Sequence, residues 1–195
     1  MCLEPLKVIE GMKKKRDYSK PLAYLALASI LFGLSAGLGF NTMLSGAVGS
    51  VGVPYMSAMS PIAVGISIAV LTFFAGIFVS WIFSLGMKVL GSRGKLYEGM
   101  VCISYPLKLL SVGVVISALA SMLGPISWLI SFVALSFFGV LAYATIFRAT
   151  KDVFKVDTLT AFIGITVLFG VLMLALYGSA MFGVMTSLSS LVPAA

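Results

Sequence analysis

Few residues in this chain could carry chemistry, and their spacing narrows the choice further. There is no histidine, and the two cysteines, Cys2 and Cys102, stand about a hundred positions apart. That removes imidazole triads, histidine metal sites and histidine proton relays, and leaves neither a disulfide framework nor a paired metal motif. No apolar span holds the two aspartates that intramembrane aspartyl proteolysis needs, and no carboxylate cluster would hold a metal for lipid phosphotransfer. One nucleophile–base arrangement survives: Ser104 and Lys108 stand at i and i+4, where helical side chains meet. Pro106 lies between them, and Lys108 belongs to the cytoplasmic end of its span, free to snorkel to the interface. Glu98 is the only acidic residue near a span that is not flanked by a charge-rich loop on both sides, and an acid at membrane depth is a functional candidate. Ten residues, about 15 Å of helical rise, separate it from Lys108. The two do not pair on a continuous helix, and Glu98 reads as interfacial.

The elements that must position these groups are apolar. Of 195 residues, 61% are hydrophobic and 10% charged, where an average soluble domain carries ~25% charged residues. Mean hydropathy is +1.15. A soluble core of this size needs more polar surface, and a disordered chain has fewer apolar residues, so most of the chain has the bilayer as its solvent.

The charges fall into three clusters, at positions 4–20, 88–108 and 148–157, leaving charge-free stretches at 21–87, 109–147 and 158–195. A spanning helix takes ~20 apolar residues, so these stretches hold two, two and one spans. The Gly- and Ser-rich segment 45–60, with Pro54, separates the first pair, and Gly124-Pro125 the second. The expected fold is an all-α integral membrane protein. It is a bundle of five transmembrane helices at about 21–44, 62–90, 106–123, 126–147 and 159–181, preceded by a cytoplasmic segment 1–20. Alternating the loops puts all 13 basic residues on one face. The positive-inside rule makes that face cytoplasmic, with the amino terminus inside and the carboxyl terminus outside a cell membrane.

Within the first cluster, Leu3, Leu6, Ile9 and Met12 recur at spacing three among charged residues, as in a short amphipathic helix lying on the leaflet. The adjoining Lys13, Lys14, Lys15 and Arg16 attract anionic lipid, at ~1 kcal/mol per basic side chain near the surface. The second cluster contains Arg93 and Lys95 beside Gly91 and Gly94; the two glycines end span two, and an amphipathic turn follows at Leu96, Tyr97, Met100 and Val101. Pro106 either kinks or starts span three. Small residues recur at four in three spans: Gly33 and Gly37; Gly76, Ser80 and Ser84; Gly113, Ser117 and Ser121. Such rows let helices approach closely, within one bundle or between copies in a homo-oligomer.

These residues resemble the Yip (Ypt-interacting protein) domain family. Pro5-Leu6-Lys7-Val8-Ile9-Glu10 follows its opening pattern of proline, two spacers, two hydrophobics and an acid. The Gly-rich basic link Lys88-Val89-Leu90-Gly91-Ser92-Arg93-Gly94-Lys95-Leu96-Tyr97, followed by Ser104-Tyr105-Pro106, resembles its link between spans two and three. Asp17 and Pro21 keep the outer positions of the eukaryotic members' Asp-Leu-Tyr-Gly-Pro motif. The short amino-terminal region is similar to that of prokaryotic members. The resemblance implies five spans and a membrane organiser, adaptor or scaffold for partner proteins, without catalysis, cofactor or metal. The alternative is a small transporter, channel or lipid-translocating protein. The residues expected to touch lipid or partner are Lys13, Lys14, Lys15, Arg16, Arg93 and Lys95. Family-motif or interfacial positions are Pro5, Gly91, Gly94, Glu98, Tyr105, Pro106 and Lys108. Anionic lipids and a membrane or cytoplasmic protein are the expected partners, and nucleic acid is not.

Overall fold

A computed structural model describes residues 17–47, 60–92 and 94–171. The amphipathic segment, Pro5, the basic run 13–16, Arg93 and most of the loop 45–60 lie outside the described residues.

Among the described residues four helices are long and apolar enough to cross a membrane. They are α1 (Ser19–Ala47), α2 (Pro61–Val89), α3 (Leu96–Ala120) and α4 (Ser127–Phe154). A shorter apolar helix, α5 (Thr158–Val171), follows. It covers the first half of the expected fifth span, and the second half lies outside the described residues.

Local signals start and stop these helices. Asp17 accepts from the Ser19 N–H at 2.9 Å and the Ser19 hydroxyl at 2.7 Å, satisfying donors at the head of α1. Ser60 caps α2, accepting from the Ile62 N–H at 3.3 Å, with Pro61 in the first turn, where its missing N–H costs nothing. At the far end of α2, Gly91 takes φ +87. The Ser92 N–H donates to the Met87 carbonyl and the Gly91 N–H to the Lys88 carbonyl, each at 3.0 Å. This double bond pattern around a left-handed residue closes a helix and favours glycine.

The third span differs from expectation. It starts ten residues before Pro106, because Glu98 accepts from the Lys95 N–H at 2.8 Å and so caps a helix at Leu96. Pro106 sits inside α3, buried. It removes one backbone donor, and the helix runs through it. The break after α3 is where the sequence places it: a tight 3-10 segment, Ser121–Ile126, turns at Gly124 with φ 69 and ψ −138. Helix α4 runs seven residues beyond its expected end, into the third charge cluster, and stops at Lys155 in the left-handed region.

The small-residue rows are used inside the chain. Gly33 of α1 packs against the backbone of Gly65 and against Ala69 of α2, and a Cβ on Gly65 would meet the Gly33 carbonyl oxygen at 2.9 Å. Gly113 of α3 faces Phe138 of α4. The buried cluster joins Phe83 and Met87 of α2, Val101 and Cys102 of α3, Ile146 and Phe154 of α4, and Ile165 of α5. Outward positions carry large apolar groups, with Ile62 at 73% exposure, Leu71 at 70% and Trp128 at 70%. Walls of this kind suit hydrocarbon.

Candidate functional site at the charged end of the bundle

Packing shows which helix ends meet. Tyr18, before α1, meets Tyr97 of α3 edge to face at 5.1 Å. Phe83 of α2 meets Phe154 of α4 at 5.7 Å, Gly94 lies against the same Phe154, and Met87 of α2 lies against Gly164 of α5. The starts of α1, α3 and α5 and the ends of α2 and α4 therefore converge. Lys20, Lys88, Lys95, Arg148, Lys151 and Lys155 sit at these ends, with Asp17, Glu98, Asp152 and Asp157. Lys108 alone among the described charges lies well inside a helix.

The described expected residues divide by role. Lys95 is exposed at the head of α3, available to solvent or lipid. Gly91 and Gly94 shape the link: the first terminates α2, and the second leaves room for Phe154. The link is fastened by the Ser84 hydroxyl, which is shared between the Ser80 carbonyl at 3.0 Å and the Lys95 carbonyl at 3.1 Å. Glu98 caps α3. Pro106 lines a cleft of about 370 Å³ between α2, α3, α4 and α5, with Val79, Ile103, Leu110, Ala142 and Leu168 among its almost wholly apolar walls.

Tyr105 and Lys108 come together with a residue that the sequence reading did not single out, Tyr24. The Lys108 amine stands 4.7 Å from the centre of the Tyr24 ring and 5.8 Å from that of Tyr105. The two rings meet edge to face at 5.6 Å. A tyrosine one turn inside an apolar span is the available sequence signal, since tyrosines favour the membrane interface. Its pairing across α1 and α3 has no trace in the sequence.

The Ser104–Lys108 pair does not form a dyad. The Ser104 hydroxyl is buried with no hydrogen-bond partner among the described residues, and the Lys108 amine is turned to the tyrosines. Among the described residues no group of three His, Cys, Asp or Glu side chains could hold a metal ion. Asp157, between α4 and α5, has its carboxyl held below the usual carboxylate range, chiefly by the Thr160 hydroxyl and also by backbone N–H groups of the first turn of α5.

A family model described as the Yip1 domain matches residues 1–180. No curated protein and no solved structure matches the chain.

Proposed function

The chain belongs to the Yip1 domain family, a family of non-catalytic membrane organisers, and on that footing we propose that its basic face holds anionic lipid and recruits partner proteins at the cytoplasmic surface. The chain is a multi-pass membrane protein and does no covalent chemistry. The observation that carries the proposal is the convergence of the described helix-end charges on one end of a bundle whose walls are hydrocarbon.

The finer reading has five spans, a cytoplasmic amino terminus and an external carboxyl terminus in a prokaryotic-type cell membrane. It rests on the one-sided distribution of the 13 basic residues. In this reading a short amphipathic helix carrying Leu3, Leu6, Ile9 and Met12 lies on the leaflet, and Lys13, Lys14, Lys15, Arg16, Arg93 and Lys95 supply the electrostatic attraction. That attraction is diffuse and screened by salt over about a Debye length.

The test uses the full chain in neutral-lipid nanodiscs docking to vesicles of phosphatidylcholine with or without phosphatidylglycerol. Docking to the anionic vesicles should fall with added salt and with charge reversal of the six basic residues. Unchanged docking would refute the lipid-surface reading. Ion, solute or lipid flux through reconstituted protein, lost on altering Glu98 or Lys108, would replace the organiser with a transporter.

A further inference from the structure

Lys108 is a cation inside the packed part of the bundle with no anion beside it among the described residues. It is partly buried. Among the described residues no carboxylate pairs with it: Asp17 is bonded to Ser19, Glu98 to the Lys95 N–H and Asp157 to Thr160, and Asp152 lies in the last turn of α4. Moving an ammonium away from water is costly unless it is paired, and the faces of Tyr24 and Tyr105 recover only part of that cost. What the position still calls for is a negative charge.

Ser104 makes the same demand from one turn nearer the charged end, on the same side of α3 by its i, i+4 relation to Lys108. Among the described residues the other buried serine and threonine hydroxyls, on Ser29, Ser35, Ser80, Ser84, Ser111, Thr145 and Thr150, each donate to a carbonyl of their own helix. Ser104, at 1% exposure, is the exception.

Depth and surroundings identify the anion. Helical side chains lean toward the amino-terminal end of their helix, so Lys108 reaches back toward the charged end of the bundle. It meets a tyrosine only one turn into α1, at the level that tyrosines favour in lipid headgroups. In the other direction Val112, Val115 and Leu119 follow at i+4, i+7 and i+11 on the same helical face, and Leu119 is 51% exposed. A phosphate above an apolar track is the outline of a phospholipid.

We propose that Lys108, framed by Tyr24 and Tyr105 at the α1–α3 seam, is a specific site for the phosphate of an anionic phospholipid from the leaflet at the charged end. The site rests on the reading of that end as the anionic, cytoplasmic one. It differs from the diffuse attraction of the basic surface: a partly desolvated lysine holds a phosphate as a point charge and is screened little by salt.

The test is native mass spectrometry of the full chain released from phosphatidylcholine nanodiscs doped with phosphatidylglycerol and washed at high salt. The wild type should retain phosphatidylglycerol in preference to phosphatidylcholine. Lys108→Gln should lose that retention by about tenfold, equivalent to one charge-assisted contact, and Lys108→Arg should keep it. Lys108→Met retains an apolar stem against the two rings, so it provides a folded charge-free variant, checked by its melting in phosphatidylcholine. Lys95→Gln should leave high-salt retention unchanged while weakening vesicle docking, which separates failure of this site from failure of the surface reading. Three results would overturn the proposal. One is a wild type with no preference for phosphatidylglycerol. Another is wild-type retention in the folded charge-free variant. The third is equal thermal protection by inorganic phosphate with no further gain from the lipid, which would mark a small-anion site.

Discussion

The Lys95 N–H donates to a Glu98 carboxylate oxygen at 2.8 Å, and this bond makes Glu98 a helix cap. Glu98→Ala should destabilise the protein by about 1 kcal/mol, as loss of a cap does. Glu98→Gln, which keeps an acceptor, should cost less. Unfolding in detergent would measure both. Equal losses from the two variants would show that the charge of Glu98, beyond its acceptor oxygen, is what matters.

The Gly33–Gly65 contact of α1 and α2 predicts a difference between two glycine substitutions. Gly33→Ala places a methyl into the Gly65 backbone and Ala69 and should cost about 1–3 kcal/mol, the usual range for overpacking. Gly139→Ala meets nothing within 4 Å and should stabilise by about 0.5–1 kcal/mol through helix propensity. Paired melting curves check this. A neutral Gly33→Ala whose only effect is on oligomeric state would move the glycine row from the bundle interior to a contact between copies.

Two buried serines should respond differently to alanine. Ser84 ties the end of α2 to the link before α3, and Ser84→Ala should cost about 0.5–1.5 kcal/mol. Ser104 has no partner among the described residues, so Ser104→Ala in neutral lipid should be neutral or stabilising. A loss at Ser104 as large as that at Ser84 would reveal a bond to the Ser104 hydroxyl.

The depressed carboxyl of Asp157 sets a pH dependence at the head of α5. A carboxylate whose folded pKa lies below its unfolded value, about 3.9, contributes stability above that unfolded value. The contribution is lost as pH falls through the folded pKa. Amide hydrogen exchange in the first turn of α5, corrected for intrinsic rates, should therefore lose protection in acid. Asp157→Asn should remove that acid-dependent step, and a variant that keeps it would assign the step to another group.

Orientation has a simple reporter. Cys102 is fully buried, so a membrane-impermeant thiol reagent reads Cys2 alone. It should label inside-out vesicles and leave intact cells unlabelled. Labelling of Cys102→Ser protein in intact cells would reverse the proposed topology.

Much of the bundle was legible because lipid imposes a simple constraint. A charge-free stretch must become a helix long enough to cross, and a Gly-Pro pair must end one, so α2 begins and ends within one residue of expectation and the α3–α4 turn falls at Gly124. The start of α3 was harder. Pro106 resembles a helix boundary, but one lost donor is a local cost that 25 helical residues and a cap at Lys95–Glu98 outweigh.

The sequence by itself determined that the chain spans the bilayer, that its charges fall in clusters between apolar stretches, and that it carries no imidazole. These follow from composition and one-dimensional spacing, because the cost of burying charge acts on each segment separately. Tertiary structure alone decided that Gly33 meets Gly65, that the Ser104 hydroxyl is unpartnered, and that Tyr24 joins Tyr105 around the Lys108 amine. Tyr24 and Lys108 are 84 positions apart on different helices. Their meeting depends on how the helices pack and on the lean of a lysine side chain along its own helix, and neither is written in the order of the residues.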